Sequence, residues 1–190
     1  MRQLPNVLSG GRILAAPVLV GLAAAGDQYF FTWVLVPALL SDIADGLIAR
    51  IFHLQSKLGA LLDSVADTLL LFASIYGIRV FHPEIIEDHA VAGAALIGAW
   101  LLENVAALLR YGRLSSFHTY VSKVAGYLLG IFVGELFVFG FHPWLLYAAV
   151  AASVIGNIEE LVLLALLPDW RSDVRGLLWV LRERRGGAIS

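Results

Sequence analysis

The stretch SDIADGLIARIFHLQSKLGALLDSVADTLLLF, residues 41–72, sets four aspartates, Asp42, Asp45, Asp63 and Asp67, among apolar side chains. Asp42 and Asp45 are three residues apart and Asp63 and Asp67 four apart, so each pair lies on one face of a helix. The intervening FHLQSK, 52–57, reads as the turn of a helical hairpin. Counted back from that turn, the two pairs lie at similar depth, on the order of 10 Å from its end. Four carboxylates then converge between two antiparallel helices. Alone they would repel one another and resist desolvation, so a positive partner is required.

The rest of the chain makes such charges more costly. Hydrophobic residues make up 59% of the 190 positions and only 15% are charged; an ordinary soluble domain is about half apolar and about a quarter charged. The mean hydropathy is +0.82. Apolar runs at 7–25, 30–50, 58–81, 90–110, 121–141 and 144–167 each approach the roughly 20 residues of a bilayer helix. Turn-like or charged separators divide them: GDQ at 26–28, FHLQSK, FHPEIIEDH at 81–89, YGRLSSFHT at 111–119 and GFHP at 140–143. The expected fold is an all-α integral membrane bundle of six transmembrane helices over 1–168, with a basic amphipathic interfacial tail over 169–190. The first run has the outline of a secretory signal, but Arg12 interrupts it, and it is read as a retained span.

Charge placement gives an orientation. Alternating the loops puts Arg2, Arg12, Arg50, Lys57, Arg110, Arg113, Lys123, Arg171, Arg175, Arg182, Arg184 and Arg185 on one side. Only Arg79 of the thirteen basic residues is left on the other, beside Glu84, Glu87 and Asp88. The positive-inside rule makes the basic side cytoplasmic, so both termini and the aspartate hairpin face the cytoplasm. The membrane expected is a prokaryotic plasma membrane. In the tail, Trp170, Val174, Leu177, Leu178 and Leu181 recur at helical spacing between arginines. This fits a helix on an anionic surface or a partly ordered basic tail that fixes topology. Gly126, Gly130 and Gly134 form a smooth face for close packing, within the chain or in a homodimer, with packing inside the chain preferred. The chain has no cysteine, which excludes disulfides and thiolate chemistry. There is no nucleic-acid footprint.

Carboxylates without histidine or cysteine suit hard divalent cations: magnesium, manganese or calcium. Magnesium keeps positions open for water and phosphate oxygens, which points to phosphoryl chemistry. Gly46, Ala49 and Gly59 leave room beside the carboxylates, and Arg50 is one turn beyond Gly46. The competing explanations are ordinary helix packing for the small residues and topology for Arg50 and Lys57.

Asp42, two residues, Asp45-Gly46, two residues, Ala49-Arg50, eight residues, Gly59, three residues, Asp63, three residues and Asp67 resemble in full the signature of the CDP-alcohol phosphotransferase (CDP-alcohol phosphatidyltransferase) family. The opening LPNVLSGGRILAAP, with Asn6, Arg12 and Pro17, is similar to that family's usual start. The resemblance implies transfer of a phosphatidyl group from CDP-diacylglycerol to a hydroxyl acceptor, with release of CMP. It also implies two Mg2+ or Mn2+ ions held by Asp42, Asp45 and Asp63, with Asp67 as base and further metal ligand. Gly46, Ala49, Arg50 and Gly59 would frame the CDP group.

The acceptor is less legible. Arg110, Arg113 and Lys123 are candidates to bind an acceptor phosphate, or are topology charges. GRLSSFHTYVSK, 112–123, with Ser115, Ser116, His118 and Thr119, is the candidate acceptor lip, and His118 is read as a structural hydrogen-bonding group. Glu103, Glu135, Glu159 and Glu160 lie within apolar runs and need partners. Glycerol 3-phosphate is the acceptor expected first; inositol phosphate, serine and a lipid alcohol are the alternatives. A carboxylate-lined cation transporter is the rival class, as is a structural adaptor, though neither requires the Gly-Ala-Arg set.

Overall fold

A computed structural model describes the backbone of residues 4–51, 57–113, 115, 117, 119–167, 174 and 176–186, with side chains over 7–42, 59, 62, 65–113, 115, 117, 119–167, 174 and 176–182. Among the described residues the chain is all helical: α1 Leu4–Ala24, α2 Gln28–Ile51, α3 Lys57–Phe81, α4 Pro83–Asp88, α5 Ala90–Tyr111, α6 Tyr120–Phe139, α7 Pro143–Leu166 and α8 Leu177–Gly186. Among the described residues four spans, Val7–Ala24, Ala90–Tyr111, Tyr120–Phe139 and Pro143–Leu166, are long and apolar enough to cross a membrane. Large apolar residues stay on the surface, Val91 at 85% exposure and Leu109 at 83%. Such surfaces fit a membrane protein, whose helices face acyl chains.

The chain forms two compact units, Met1–Asp88 with Val133–Gly140, and His89–Phe132 with Phe141–Ser190. In the first, α1 packs against both α2 and α3, and α2 against α3. The link from α1 to α2 follows from its residues. Gly26 adopts φ +73, a left-handed conformation that glycine enters without a Cβ clash. Asp27 Oδ1 then accepts from the Phe30 N–H at 3.1 Å and caps the first turn of α2. Leu19, Ala23, Phe31, Leu35, Ala66, Leu70 and Ala73 are buried.

Phe31 ties this unit together. Its ring lies 5.3 Å from that of Phe81 and 4.8 Å from that of Phe137. A Cβ on Gly77 would sit 2.2 Å from Phe31 Cζ, so the ring occupies the space that glycine leaves. Gly77→Ala is therefore expected to lower stability by about 1–3 kcal/mol through overpacking, despite alanine's better helix propensity. Thermal unfolding in detergent measures it; an unchanged midpoint would contradict the packing account.

The FHPEIIEDH separator holds more order than expected. Pro83 starts α4, where its missing N–H costs nothing, and Glu84 lies in the first turn, where the helix dipole favours an anion. Ile85 is buried, which anchors the short helix.

In the second unit α5 packs on α7, and α7 on α8. Gly112, at φ +66, ends α5 and donates its N–H to the Leu108 carbonyl at 2.8 Å. Ala107, Phe117, Leu163, Leu164, Leu167 and Val180 form the core, with Val174 and Leu177 against it. The tail helix thus starts at Leu177 and turns Val180 into its own unit, leaving Leu178, Trp179 and Leu181 exposed. Trp170 lies outside the described residues.

The glycine face of α6 behaves differently from the expectation. A Cβ at Gly126 or Gly130 would meet nothing within 4 Å among the described residues, and at Gly134 only Leu39 Cδ1 at 3.6 Å. Close helix approach occurs instead at Gly156, where a Cβ would lie 3.4 Å from the Ser122 backbone. A glycine stripe permits contact without specifying it; the partner helix decides where contact occurs.

Candidate functional site

The aspartates are carried by two helices of the first unit, Asp42 and Asp45 on α2 and Asp63 and Asp67 on α3. Side chains at Asp45, Gly46, Ala49, Arg50 and Asp63 lie outside the described residues, as do Ser116 and His118. Gly59 is half-buried in the first turn of α3.

Asp42 and Asp67 meet at one point. Both carboxylates accept from the same nitrogen, Arg12 Nη1: Asp67 Oδ1 at 2.5 Å, and Asp42 Oδ1 in a close ion pair. Arg12 is 1% exposed, whereas the Asp42 and Asp67 side chains are 38% and 50% exposed. Arg12 Nη2 is also 3.4 Å from Ser9 Oγ, one turn earlier on α1. Three helices thus converge on one guanidinium. Residues 25 apart in sequence are brought together as the hairpin spacing predicts. Arg12, by contrast, is no loop charge: it lies inside α1, and its insertion into an apolar run was the signal that it needed an anionic partner.

The arrangement fits a hard cation. Its donors are carboxylate oxygens, and those from α2 and α3 already gather round a positive group. Both carboxylates are partly exposed, whereas Arg12 is buried.

A second polar cluster belongs to the other unit. Ser115 Oγ donates to Glu160 Oε2 at 3.0 Å, and Ser122 Oγ makes a short bond to Glu160 Oε1. Thr119 Oγ1 accepts from the Ser122 N–H at 3.2 Å and caps the start of α6. Glu103, on α5, is buried against Glu160 and Ser115. Of the expected acceptor lip, Ser115 and Ser122 are therefore engaged with Glu160 of α7, and Thr119 with Ser122. Glu160→Gln replaces a two-oxygen acceptor with an amide that cannot accept from both serines, and is expected to lower stability by about 1–3 kcal/mol. A thermal midpoint equal to wild type would contradict that role.

The remaining expected residues divide. Arg110 Nη2 donates to the Leu167 carbonyl at 3.2 Å, and Tyr111 O–H to the same oxygen at 2.7 Å, so both serve the open end of α7. Arg113 is exposed and Lys123 half-buried. Glu159 Oε1 accepts from the Leu177 N–H at 2.8 Å and so holds the start of α8. These glutamates were visible in the sequence only as charges needing partners; the partners come from other helices.

Comparison with known proteins follows the same outline. The chain is 39% identical over 75 residues to an Arabidopsis thaliana CDP-diacylglycerol–glycerol-3-phosphate 3-phosphatidyltransferase 2, covering 38% of this chain and 32% of that protein. It is 32% identical over 83 residues to the CDP-diacylglycerol–glycerol-3-phosphate 3-phosphatidyltransferase of Aquifex aeolicus, covering 43% and 46%. It is 44% identical over 69 residues to a Homo sapiens cardiolipin synthase (CMP-forming), covering 36% and 23%. The aligned stretches thus span less than half of each relative. The family model for CDP-alcohol phosphatidyltransferase matches residues 2–180, which includes the whole aspartate hairpin and most of both units. The chain belongs to the CDP-alcohol phosphatidyltransferase family.

Proposed function

We propose that the protein transfers the phosphatidyl group of CDP-diacylglycerol to the hydroxyl of glycerol 3-phosphate, releasing CMP. The convergence of Asp42 and Asp67 on one cationic centre carries this reading, because it places two members of the family signature, from separate helices, at one accessible point. Membership of the family and the printed names of relatives from Arabidopsis thaliana and Aquifex aeolicus support it.

In this reading Asp42, Asp45, Asp63 and Asp67 hold two Mg2+ or Mn2+ ions. When bound, the ions supply neutralisation of the pyrophosphate and of the departing CMP. Asp67 takes the proton of the acceptor hydroxyl. The acceptor oxygen then bonds to the phosphorus on the diacylglycerol side, and the bond from that phosphorus to the CMP oxygen breaks. Gly46, Ala49, Arg50 and Gly59 frame the cytidine and its phosphates. Arg110, Arg113 and Lys123 are the cations proposed to recognise an acceptor phosphate; Arg110 also donates to the end of α7.

The topology proposed is six spans, adding α2 and α3 to the four apolar helices, with both termini cytoplasmic. The aspartates then sit at the cytoplasmic interface, where a nucleotide head and a lipid tail can be held together. Exposed Leu178, Trp179 and Leu181 on α8 support a surface-lying tail.

A second acceptor reading, a lipid alcohol, is favoured by the likeness to human cardiolipin synthase. A panel of labelled acceptors decides between them. Glycerol 3-phosphate is expected to give the fastest CMP release from CDP-diacylglycerol; faster release with phosphatidylglycerol would replace it with the lipid alcohol.

A further inference from the structure

We infer that Arg12 is a positioning residue of the aspartate site, a buried guanidinium on which the α2 and α3 carboxylates are set before any divalent cation binds. The inference rests on the reading above that these carboxylates hold such cations.

The asymmetry of exposure carries it. Arg12 is 1% exposed, while the two side chains it holds are 38% and 50% exposed. The guanidinium therefore lies beneath the carboxylates, on the α1 side, and the accessible side is left to an incoming ligand. Arg12 turns one named oxygen of each carboxylate, Oδ1, toward itself. That contact limits rotation of both groups about their terminal bonds. Ser9, 2% exposed and one turn before Arg12 on α1, helps hold the guanidinium in place. A delocalised guanidinium is always charged and weakly hydrated, so it tolerates this burial where an ammonium would not do so as well.

Groups that orient metal ligands from behind typically change metal affinity or activity by about 10–100-fold when removed. Arg12 also repels an arriving cation, which makes the sign of its effect informative. If orientation dominates, removing it weakens binding. If repulsion dominates, removing it tightens binding.

The test is Mn2+ binding to the purified full-length chain in detergent, without substrate, for wild type, Arg12→Gln and Arg12→Lys. Metal-free thermal unfolding of each variant reports folding separately. Arg12→Gln is expected to weaken Mn2+ binding by about 10–100-fold, and Arg12→Lys, which keeps a cation but loses the planar fork, to fall between the two. Binding by Arg12→Gln as tight as wild type or tighter overturns the inference. Should Arg12→Gln fail to fold, Arg12→Lys decides alone: weaker binding than wild type supports the role, and equal or tighter binding overturns it. A wild type that binds Mn2+ but releases no CMP sinks the proposed transfer and leaves the Arg12 result to stand or fall by itself. A wild type without saturable Mn2+ binding overturns both.

Discussion

Asp67→Asn is expected to lower CMP release by about 10²–10⁴-fold, the range associated with a positioned general base, while CDP-diacylglycerol binding stays close to wild type. Asparagine matches aspartate in size, and its amide oxygen can still accept from Arg12 Nη1, which lies 2.5 Å from Asp67 Oδ1. The packing of α1 against α3 is therefore kept while the capacity to take a proton is lost. Half of the Asp67 side chain is exposed, so an acceptor hydroxyl can approach it. The measurement is single-turnover CMP release alongside equilibrium binding of the donor. Near-normal turnover would remove Asp67 from the role of base. Equal loss of donor binding would assign the effect to its part as a metal ligand rather than as the base.

Removal of divalent cations is expected to have an effect of similar size. Chelation should take CMP release to background, and Mg2+ or Mn2+ should restore it. The physical reason is that a pyrophosphate cannot approach the four carboxylates of the proposed site unless their charge is offset, and Arg12 supplies one positive charge only. Arg12 is buried while the Asp42 and Asp67 side chains it pairs with are partly exposed, so it leaves their exposed surface unshielded. CMP release that persists at full rate in chelator, with the bound metal content shown to be nil, would contradict the two-ion reading. Restoration by zinc alone would contradict the oxygen-ligand argument.

The features visible in the sequence were those written in local spacing. Intervals of three and four residues put each aspartate pair on a helix face, and the long helices follow the apolar runs, four of them among the described residues being long and apolar enough to cross a membrane. The GDQ separator also declares itself locally as a turn, in which Gly26 adopts φ +73, while the cap that Asp27 gives α2 emerges from the structure. Features that depend on a partner far along the chain were not legible. The place of Arg12 in an apolar run marks its need for an anionic partner, but nothing in its own segment names Asp42 and Asp67 as those partners. The glycines of α6 suggest close packing, yet among the described helical glycines the tight approaches occur at Gly77 against Phe31 and at Gly156 against Ser122, where a single glycine meets a particular residue of another helix. Ser115 and Thr119 looked like an open polar lip; the carboxylate that engages Ser115 lies 45 residues away on α7. The FHPEIIEDH segment was read as a loop since its histidines and proline punctuate, although Pro83 is well placed to begin a helix.

The central claim is that the aspartate site exchanges CMP for an acceptor hydroxyl on a phosphatidyl group. It is tested most directly by supplying purified protein with CDP-diacylglycerol, glycerol 3-phosphate and Mn2+, and quantifying CMP and the new phospholipid together. The account predicts equal amounts of both, with neither formed by Asp67→Asn. No CMP with any acceptor, together with cation flux through the same protein in liposomes, would contradict it.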